Sequence, residues 1–122
     1  MRDPLNNVQS VIRHSGDVVI VDLTGRVTAG ESASTFREMM QKLAAAGHKN
    51  VLLNLKDISY IDSMGLGEMV DACTTTRKLG GDLKLMNPQK RIANLLEMTH
   101  LASLFAIFAE EQAALDTFAA SR

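Results

Sequence analysis

Residues 57–67 of the chain read Asp57-Ile58-Ser59-Tyr60-Ile61-Asp62-Ser63-Met64-Gly65-Leu66-Gly67. An apolar, strand-like run from Val51 to Leu55 precedes this segment, and a helix-like run from Leu66 to Cys73 follows it. Ser63 is therefore predicted to lie where a loop after a strand ends and a helix begins. Backbone N–H groups at such a point are unpaired, and the helix dipole there favours negative charge. The Ser63 hydroxyl can therefore either cap the helix or carry a phosphate.

An antiparallel hairpin is predicted at the start of the chain, formed by Asn7 to His14 and Val18 to Leu23. The residues between them, Ser15-Gly16-Asp17, are typical of a turn. The nearly continuous apolar character of Val51 to Leu55 indicates a parallel strand that is covered on both faces. Asp57 is expected to end this central strand.

Helix signals and further apolar strands alternate along the rest of the chain. Thr28 and Glu31 match a capping box, which places Thr28 at the N-cap of the first helix. Asn87 and Pro88 match the N-cap and the first position of a third helix. The second helix, the third parallel strand, the last strand and the terminal helix are predicted at residues 63–79, 83–86, 105–108 and 110–120.

The order of these elements predicts an α/β fold in a single domain over residues 5–120. We expect a mixed sheet of about five strands with an N-terminal antiparallel hairpin, covered by about four helices. The length of 122 residues fits one domain of ordinary size.

Composition and charge exclude several classes of partner. A net charge of −1 and an aromatic content of 4% lack both the basic surface and the stacking surface of nucleic-acid-binding proteins. Met1 to Asn7 hold no apolar core of a signal peptide, and the run from Leu101 to Ala109 is shorter than the ~20 residues of a membrane span. We therefore expect a cytoplasmic protein that binds neither nucleic acid nor membranes.

The residues that bind metals and cofactors are sparse in this chain. The single cysteine, Cys73, lies in an apolar helical stripe and is expected to be a small buried hydrophobe. One cysteine allows neither an intrachain disulfide nor a cysteine zinc site. Gly65 and Gly67 match a dinucleotide-binding loop only weakly, because the third glycine is absent. No metal and no cofactor are therefore expected, and the two glycines indicate either close helix packing or a flat docking surface.

A phosphate on Ser63 would experience opposing electrostatic effects. The helix N-terminus would stabilise it by up to ~2 kcal/mol. The charge of Asp62, ~5 Å away, would cost roughly 3 kcal/mol at an effective dielectric constant near 20. The fold should therefore survive phosphorylation, whereas a partner that covers the same surface should bind about a hundredfold more weakly. One of the flanking residues Met64 and Leu66 is expected to be exposed.

Two enzyme-like alternatives match less of the sequence. A response-regulator receiver would use Asp57, but it needs an acidic pair after its first strand, where this chain has Asp22-Leu23-Thr24-Gly25. A small hydrolase would use Ser63 with one of the three histidines, but the G-x-S-x-G motif is absent.

Lys90 and Arg91 are unusual because both are basic and both fall in the first turn of the predicted third helix. The helix dipole disfavours each of them there by ~0.3–1 kcal/mol at low salt. The sequence alone offers no structural reason for this placement.

Taken together, these motifs resemble those of the anti-sigma factor antagonists, which are single-domain members of the STAS superfamily. The most specific match is Asp62-Ser63-x-Gly65-Leu66-Gly67, and the similarity extends from about residue 8 to residue 118. Supporting matches are Leu53-Asn54-Leu55 with Ser59, Leu23-x-Gly25, Gly80-Gly81-x-Leu83-x-Leu85 and Leu96-x-x-Thr99-x-Leu101.

The resemblance implies a phosphorylation-controlled binding protein rather than an enzyme. The unphosphorylated protein would bind an anti-sigma factor that is also a serine kinase, and this would release a sigma factor. Phosphorylation of the serine that matches Ser63 would end the binding, and a serine phosphatase would reverse it. The alternative is a STAS-type subunit of a larger regulatory or scaffold assembly without a direct sigma-factor role.

The resemblance also implies which residues form the site. The partner-binding surface would comprise Arg26, Thr28, Asp62, Ser63, Met64, Gly65, Leu66 and Gly67. The acceptor environment would comprise Asp57, Ser59 and Asp62. Two departures from the family pattern stand out: Gly25-Arg26-Val27-Thr28 replaces Gly-Glu-Leu-Asp, and His100 replaces a usual glycine, so that the helix end there is expected to close differently.

Overall fold

A five-stranded sheet forms the centre of the computed structural model, which describes residues 7–120. Residues 5 and 6 of the predicted domain lie outside the described residues. So does most of the segment from Met1 to Asn7, on which the expectation of no signal peptide rests. The strands lie side by side in chain order. They are β1 (Val8–Ser15), β2 (Val18–Val27), β3 (Asn50–Ile61), β4 (Asp82–Met86) and β5 (Ala106–Phe108).

The pairing of the strands confirms the predicted mixed sheet with its N-terminal hairpin. β1 pairs with β2 in the antiparallel sense, and β2, β3, β4 and β5 pair in the parallel sense. Side chains of β2 alternate between two cores: Val19 and Val21 face one, whereas Val18 and Ile20 face the other. This burial on both faces explains the continuous apolar runs, because neither face of the central strands meets water.

Four helices cover the two faces of this sheet within the described residues, as predicted. Each of them is too short or too polar to cross a membrane. α1 to α3 contribute to the larger core on one face, and α4 packs on the other face. The helices are α1 (Glu31–Ala45), α2 (Ser63–Lys78), α3 (Lys90–Met98) and α4 (Glu111–Ala120).

The larger core confirms the expected role of Cys73. Its side chain is fully buried with Phe36, Met69 and Leu96, and this burial raises the pKa of the thiol. A smaller core under α4 contains Phe118. Cys73 is thus a packing residue, held as a neutral thiol.

α4 is also held to the sheet by an ion-pair cluster. Arg13 of β1 pairs with Asp22 of β2 at 2.6 Å and with Glu111 of α4 at 2.7 Å. The amide of Asn54 donates a further hydrogen bond to Asp22. The Arg13 guanidinium is the main reason that the pKa of Asp22 lies below its usual value.

The predicted capping box at Thr28 is wrong. α1 begins at Glu31 with Gly30 as its N-cap, and no side chain caps it. The hydroxyl of Ser32 accepts a hydrogen bond from the Thr28 N–H and donates one to the Thr28 carbonyl. Ser32 therefore accepts the Thr28 N–H that the Glu31 side chain would accept in a capping box, and the Thr28 backbone is held as a loop.

The predicted start of the third helix at Asn87 is also wrong. Asn87 has a positive φ of 55°, and its N–H donates a hydrogen bond to the Phe108 carbonyl of β5 at 2.8 Å. This pairing continues the sheet contact beyond β4 and delays the helix to Lys90, with Gln89 at the N-cap. Lys90 and Arg91 accordingly occupy the first turn of α3, as expected.

Three helices end in the same way, including the one that precedes His100. After α1 and α2, Gly47 and Gly80 adopt positive φ, and each donates to the carbonyl three residues back. After α3, His100 has a φ of 60° and donates to the Glu97 carbonyl, while Leu101 donates to the Leu96 carbonyl. This is the bond pair of a Schellman motif. The expectation that His100 closes the helix differently is wrong.

Candidate functional site

β3 positions the candidate site because it runs well beyond the end of β4 and stays paired with β2 as far as Ile61. The strand continues to Ile61, so the expectation that Asp57 ends it is wrong. Its register with β2 shifts between Asn54 and Asp57 and again between Ile58 and Tyr60. Along this part of the strand the buried residues are Leu55, Ile58 and Ile61. Burial at every third position hides the strand from a search for alternation. The extension carries the chain past the end of β4, alongside β2, to the N-terminus of α2.

Asp62 is the N-cap of α2, and its side chain bridges two segments of the chain. One carboxylate oxygen accepts a hydrogen bond from the Gly65 N–H at 2.9 Å. The other accepts one from the Ala29 N–H at 2.8 Å, in the loop between β2 and α1. These bonds, with Ala29 as the largest contribution, hold the pKa of the Asp62 carboxyl below its usual value. The cap is therefore a stable anion.

Ser63 is the first residue of α2 and does not cap the helix, because Asp62 does. The residue is exposed, and within the described part of the chain no side chain or backbone group hydrogen-bonds to its hydroxyl. Of the two roles that the sequence left open, the capping role is thus already filled by a neighbour. The Ser63 hydroxyl is available for chemistry from outside.

Gly65 and Gly67 differ in what surrounds them. A Cβ on Gly65 would overlap the carbonyl oxygen of Val27, because the start of α2 lies directly against the end of β2. A Cβ on Gly67 would meet nothing within 4 Å, and Gly67 is exposed. Close packing therefore explains the first glycine, and the second leaves an open surface one turn after Ser63.

The flanking residues Met64 and Leu66 point to opposite environments, as predicted. The Met64 side chain is 57% exposed, whereas Leu66 is buried in the larger core. An exposed methionine beside an exposed serine suits a protein–protein contact, since its flexible apolar side chain adapts to different partners.

A groove of about 480 Å³ runs from Ser63 along α3. Its lining is mainly apolar and includes the exposed side chains of Tyr60 and Met98 together with the half-buried Leu95. Arg91 lines the same groove. Sequence reasoning missed this groove because its walls come from segments that are about thirty residues apart.

The remaining predicted site residues are not all brought to Ser63. Ser59 donates a hydrogen bond to the Gly25 carbonyl at 3.3 Å, which directs its hydroxyl toward β2. Asp57 is exposed on β3, four strand residues before Ile61. This spacing separates Asp57 from Ile61 by on the order of 10 Å along the strand. Of the three residues, Asp62 is thus the one adjacent to Ser63, and Asp57 lies away from it.

The two predicted residues before α1 lie on the neighbouring segment. Arg26 is exposed on β2 and pairs in the ladder with Tyr60 of β3. Thr28 is half-buried in the loop that Asp62 holds through Ala29. Both residues therefore share a surface with the N-terminus of α2.

The histidines that a hydrolase would need are placed elsewhere. The rings of His14 and His48 are tilted by 52° with centroids 5.7 Å apart, and His100 follows the C-terminus of α3. In the part of the chain that the structure describes, none of them bonds to Ser63, and no group of three or more His, Cys, Asp or Glu side chains could hold a metal ion. No histidine of the described segment is therefore placed as a general base for Ser63.

Three features mark this site: a long β3, an exposed serine after an aspartate cap, and a glycine packed against β2. Comparisons with known proteins identify the family of the chain. The family model described as "STAS domain" matches residues 9–114. The chain belongs to the STAS domain family. Its residues 57–67 therefore lie inside the region that defines this STAS domain.

Two curated relatives cover nearly the whole STAS domain. The anti-sigma-B factor antagonist of Bacillus subtilis is 32% identical over 106 residues, which cover 87% of this chain and 95% of that protein. The anti-sigma F factor antagonist of Paenibacillus polymyxa is 26% identical over 109 residues, or 89% of this chain and 93% of that protein. Both relatives are named as antagonists of anti-sigma factors.

A solved structure shows the same fold. It is that of the Bacillus cell fate determinant SpoIIAA in its phosphorylated form, with a TM-score of 0.69 and 18% identity. The match covers 89% of this chain and 98% of that chain. This similarity confirms the predicted fold of a five-stranded mixed sheet with four helices.

Proposed function

We propose that this protein is an anti-sigma factor antagonist that is controlled by phosphorylation of Ser63. In its unphosphorylated form it binds an anti-sigma factor that is also a serine kinase, and it thereby frees a sigma factor. Phosphorylation of Ser63 weakens this binding, and a serine phosphatase restores it. The protein is thus a kinase substrate and a binding module of the cytoplasm, not a catalyst.

The observation that carries the proposal is that Asp62, and not Ser63, caps α2. Because the Asp62 carboxylate caps α2, the Ser63 hydroxyl has no bond to lose when it is modified. It is exposed at a helix N-terminus, where the dipole favours a phosphate. The names of the two curated relatives support the choice of an anti-sigma factor as the partner.

The surroundings of Ser63 suit a partner that is sensitive to charge. Met64 is exposed beside it, Gly67 presents no side chain one turn later, and the apolar groove begins at Ser63. A partner that covers these residues must desolvate a phosphate of nearly two negative charges. This cost would reduce the affinity without any change in the fold of the binding domain.

The test is an affinity capture from the lysate of the organism that encodes the protein, with Ser63→Ala and Ser63→Glu baits read by mass spectrometry. We expect the alanine bait to retain an ATPase of the histidine-kinase-like type and the glutamate bait to lose it. Ser59→Ala is the matched control, because Ser59 is an exposed serine in the same segment with its hydroxyl directed to Gly25. Identical partners for both Ser63 baits would contradict the proposal.

A second outcome would support another role for the same surface. If both baits recover one large assembly without a kinase-like ATPase, the protein is a STAS-type subunit of a regulatory or scaffold complex. Size-exclusion chromatography of the native lysate would then place the protein at a mass far above its own 13.3 kDa.

A further inference from the structure

Arg91 lies on the groove that begins at Ser63, and its charge is unbalanced. The residue is exposed in the first turn of α3, where the helix dipole disfavours a cation. Among the described residues, no carboxylate forms an ion pair with it. Neither the helix dipole nor an ion pair with a described residue therefore accounts for the position of this arginine.

Other arginines of the structure show what a balanced placement looks like. Arg13, Arg37 and Arg77 each pair with a carboxylate on a neighbouring element. Arg26 is exposed without an ion pair within residues 7–120, but it does not line the groove. Arg91 therefore combines two properties: an uncompensated charge and a position on the groove that Ser63 also lines.

Among residues 7–120 of the unmodified protein, no carboxylate pairs with Arg91. Asp62 is the acidic residue of the groove lining, but its two oxygens accept hydrogen bonds from the N–H groups of Ala29 and Gly65. A phosphate on Ser63 would enter the same groove with three acceptor oxygens and a charge of about −1.5 to −2. The charge of Asp62 would repel this phosphate, so that a nearby cation is needed to balance it.

We propose that Arg91 is the intramolecular receptor for a phosphate on Ser63, and that its guanidinium donates hydrogen bonds to the phosphate oxygens across the groove. The inference rests on the proposed function only in that Ser63 carries the phosphate. A guanidinium suits this role because its planar N–H groups match phosphate oxygens in pairs. Once held, the arginine side chain covers part of the apolar lining between Tyr60 and Met98.

The contact gives phosphorylation a second effect on the surface. Besides adding charge at Ser63, the modification draws a long side chain over apolar residues that are open in the unphosphorylated protein. A partner must then displace the arginine from the phosphate before it can reach the groove. The switch would thus act through coverage of the groove as well as through repulsion.

The experiment places phosphoserine at position 63 during synthesis by genetic encoding, so that no kinase is required. The phosphate is then titrated by phosphorus-31 NMR in the otherwise unchanged chain and in the Arg91→Gln variant. A free phosphoserine has a second pKa near 6. We expect the phosphate pKa to be lower by about half a pH unit or more in the chain that keeps Arg91 than in the Arg91→Gln variant, because a nearby opposite charge favours the dianion.

Lys90→Gln is the matched control, since Lys90 is an exposed base in the same turn of α3 but does not line the groove. This variant should leave the phosphate pKa unchanged, and Arg91→Lys should restore part of the difference. Equal titration of the Arg91→Gln and Lys90→Gln proteins, or a loss of the difference with Arg26→Gln instead, would overturn the proposal. A thermal unfolding curve for each variant confirms that it is folded.

The two proposals can fail separately. The titration uses neither the kinase nor the anti-sigma factor. A phosphate pKa that does not depend on Arg91 would therefore leave the affinity-capture result valid. Conversely, capture of the same partners by both Ser63 baits would remove the regulatory role while the phosphate contact could still be measured.

Discussion

The carboxylate of Asp62 accepts a hydrogen bond from the backbone N–H of Ala29 at 2.8 Å, although 33 positions of the chain separate the two residues. The same carboxylate caps α2 through Gly65. One side chain therefore fixes the start of α2 and the loop before α1 relative to each other. Ser63, the next residue, is held in place by this contact without taking part in it.

Replacing Asp62 by alanine should destabilise the domain by about 1–2 kcal/mol. The helix loses its cap, which is typically worth ~1 kcal/mol, and the loop loses its contact with α2. Urea unfolding measures the difference. Asp57→Ala is the control: Asp57 is exposed on the strand, so its loss should change the stability by less than about 0.5 kcal/mol.

The contribution of Asp62 should depend on pH in a defined direction. Its pKa is lower in the folded protein than in the unfolded chain, where it is about 3.9. The stabilisation is therefore present above the unfolded value and is lost as the pH falls toward the folded value. The difference in unfolding free energy between the unchanged protein and Asp62→Asn should be constant from about pH 5 to 7 and shrink below about pH 4. A difference that grows on acidification would contradict the assignment.

Ser63→Ala should leave the stability of the protein within about 0.5 kcal/mol of its original value. The hydroxyl contributes no cap, because Asp62 fills that role. Chemical denaturation of both proteins at about pH 7 provides the measurement. A loss of about 1 kcal/mol or more, the size of a typical cap, would show that Ser63 has a structural role. It would also mean that the Ser63→Ala bait of the affinity capture is destabilised and is not a structurally neutral variant.

The two glycines of α2 should respond to alanine in opposite directions. Gly65→Ala should cost more than about 2 kcal/mol, because the new Cβ would overlap the backbone carbonyl of Val27. Gly67→Ala should raise the stability by up to ~1 kcal/mol, because it places a good helix former in open space. Thermal or urea unfolding of both variants tests the pair. Similar effects at the two positions would mean that α2 does not lie against β2 in this way.

His100→Gly should stabilise the protein by about 0.5–1 kcal/mol. His100 has a positive φ of 60°, which is unfavourable for a residue with a Cβ, and glycine relieves this at some cost in unfolded-state entropy. The reverse change, Gly47→His, places the same side chain at the equivalent end of α1 and should destabilise by a similar amount. Urea midpoints of the two variants should therefore move in opposite directions.

Sequence reasoning succeeded where the determining interactions are local. The start of α2 at Ser63 and the exposure of one residue of the pair Met64 and Leu66 follow from helix chemistry within a few positions. The parallel strands were predictable for a similar reason, because burial on both faces requires a continuous apolar run.

It failed where a distant segment competes for the same groups. Thr28 has the pattern of a cap, but the Ser32 hydroxyl binds its backbone, and Asp62 holds the adjacent Ala29. Asn87 has the pattern of another cap, but its N–H pairs with Phe108. The position of Arg91 on the Ser63 groove belongs to the same class, since only the packing of α3 against β3 brings the two residues to one surface.

Asp62 caps α2, whereas the adjacent Ser63 does not. This difference has a consequence for how such sequences diverge. A lineage without the proposed switch can replace Ser63, because the hydroxyl makes no hydrogen bond within the described residues. The same lineage must keep an oxygen-bearing cap at the position of Asp62 and a glycine at that of Gly65. Related proteins in which the serine has changed while both neighbours persist would therefore mark the branches where regulation was lost and the architecture was retained.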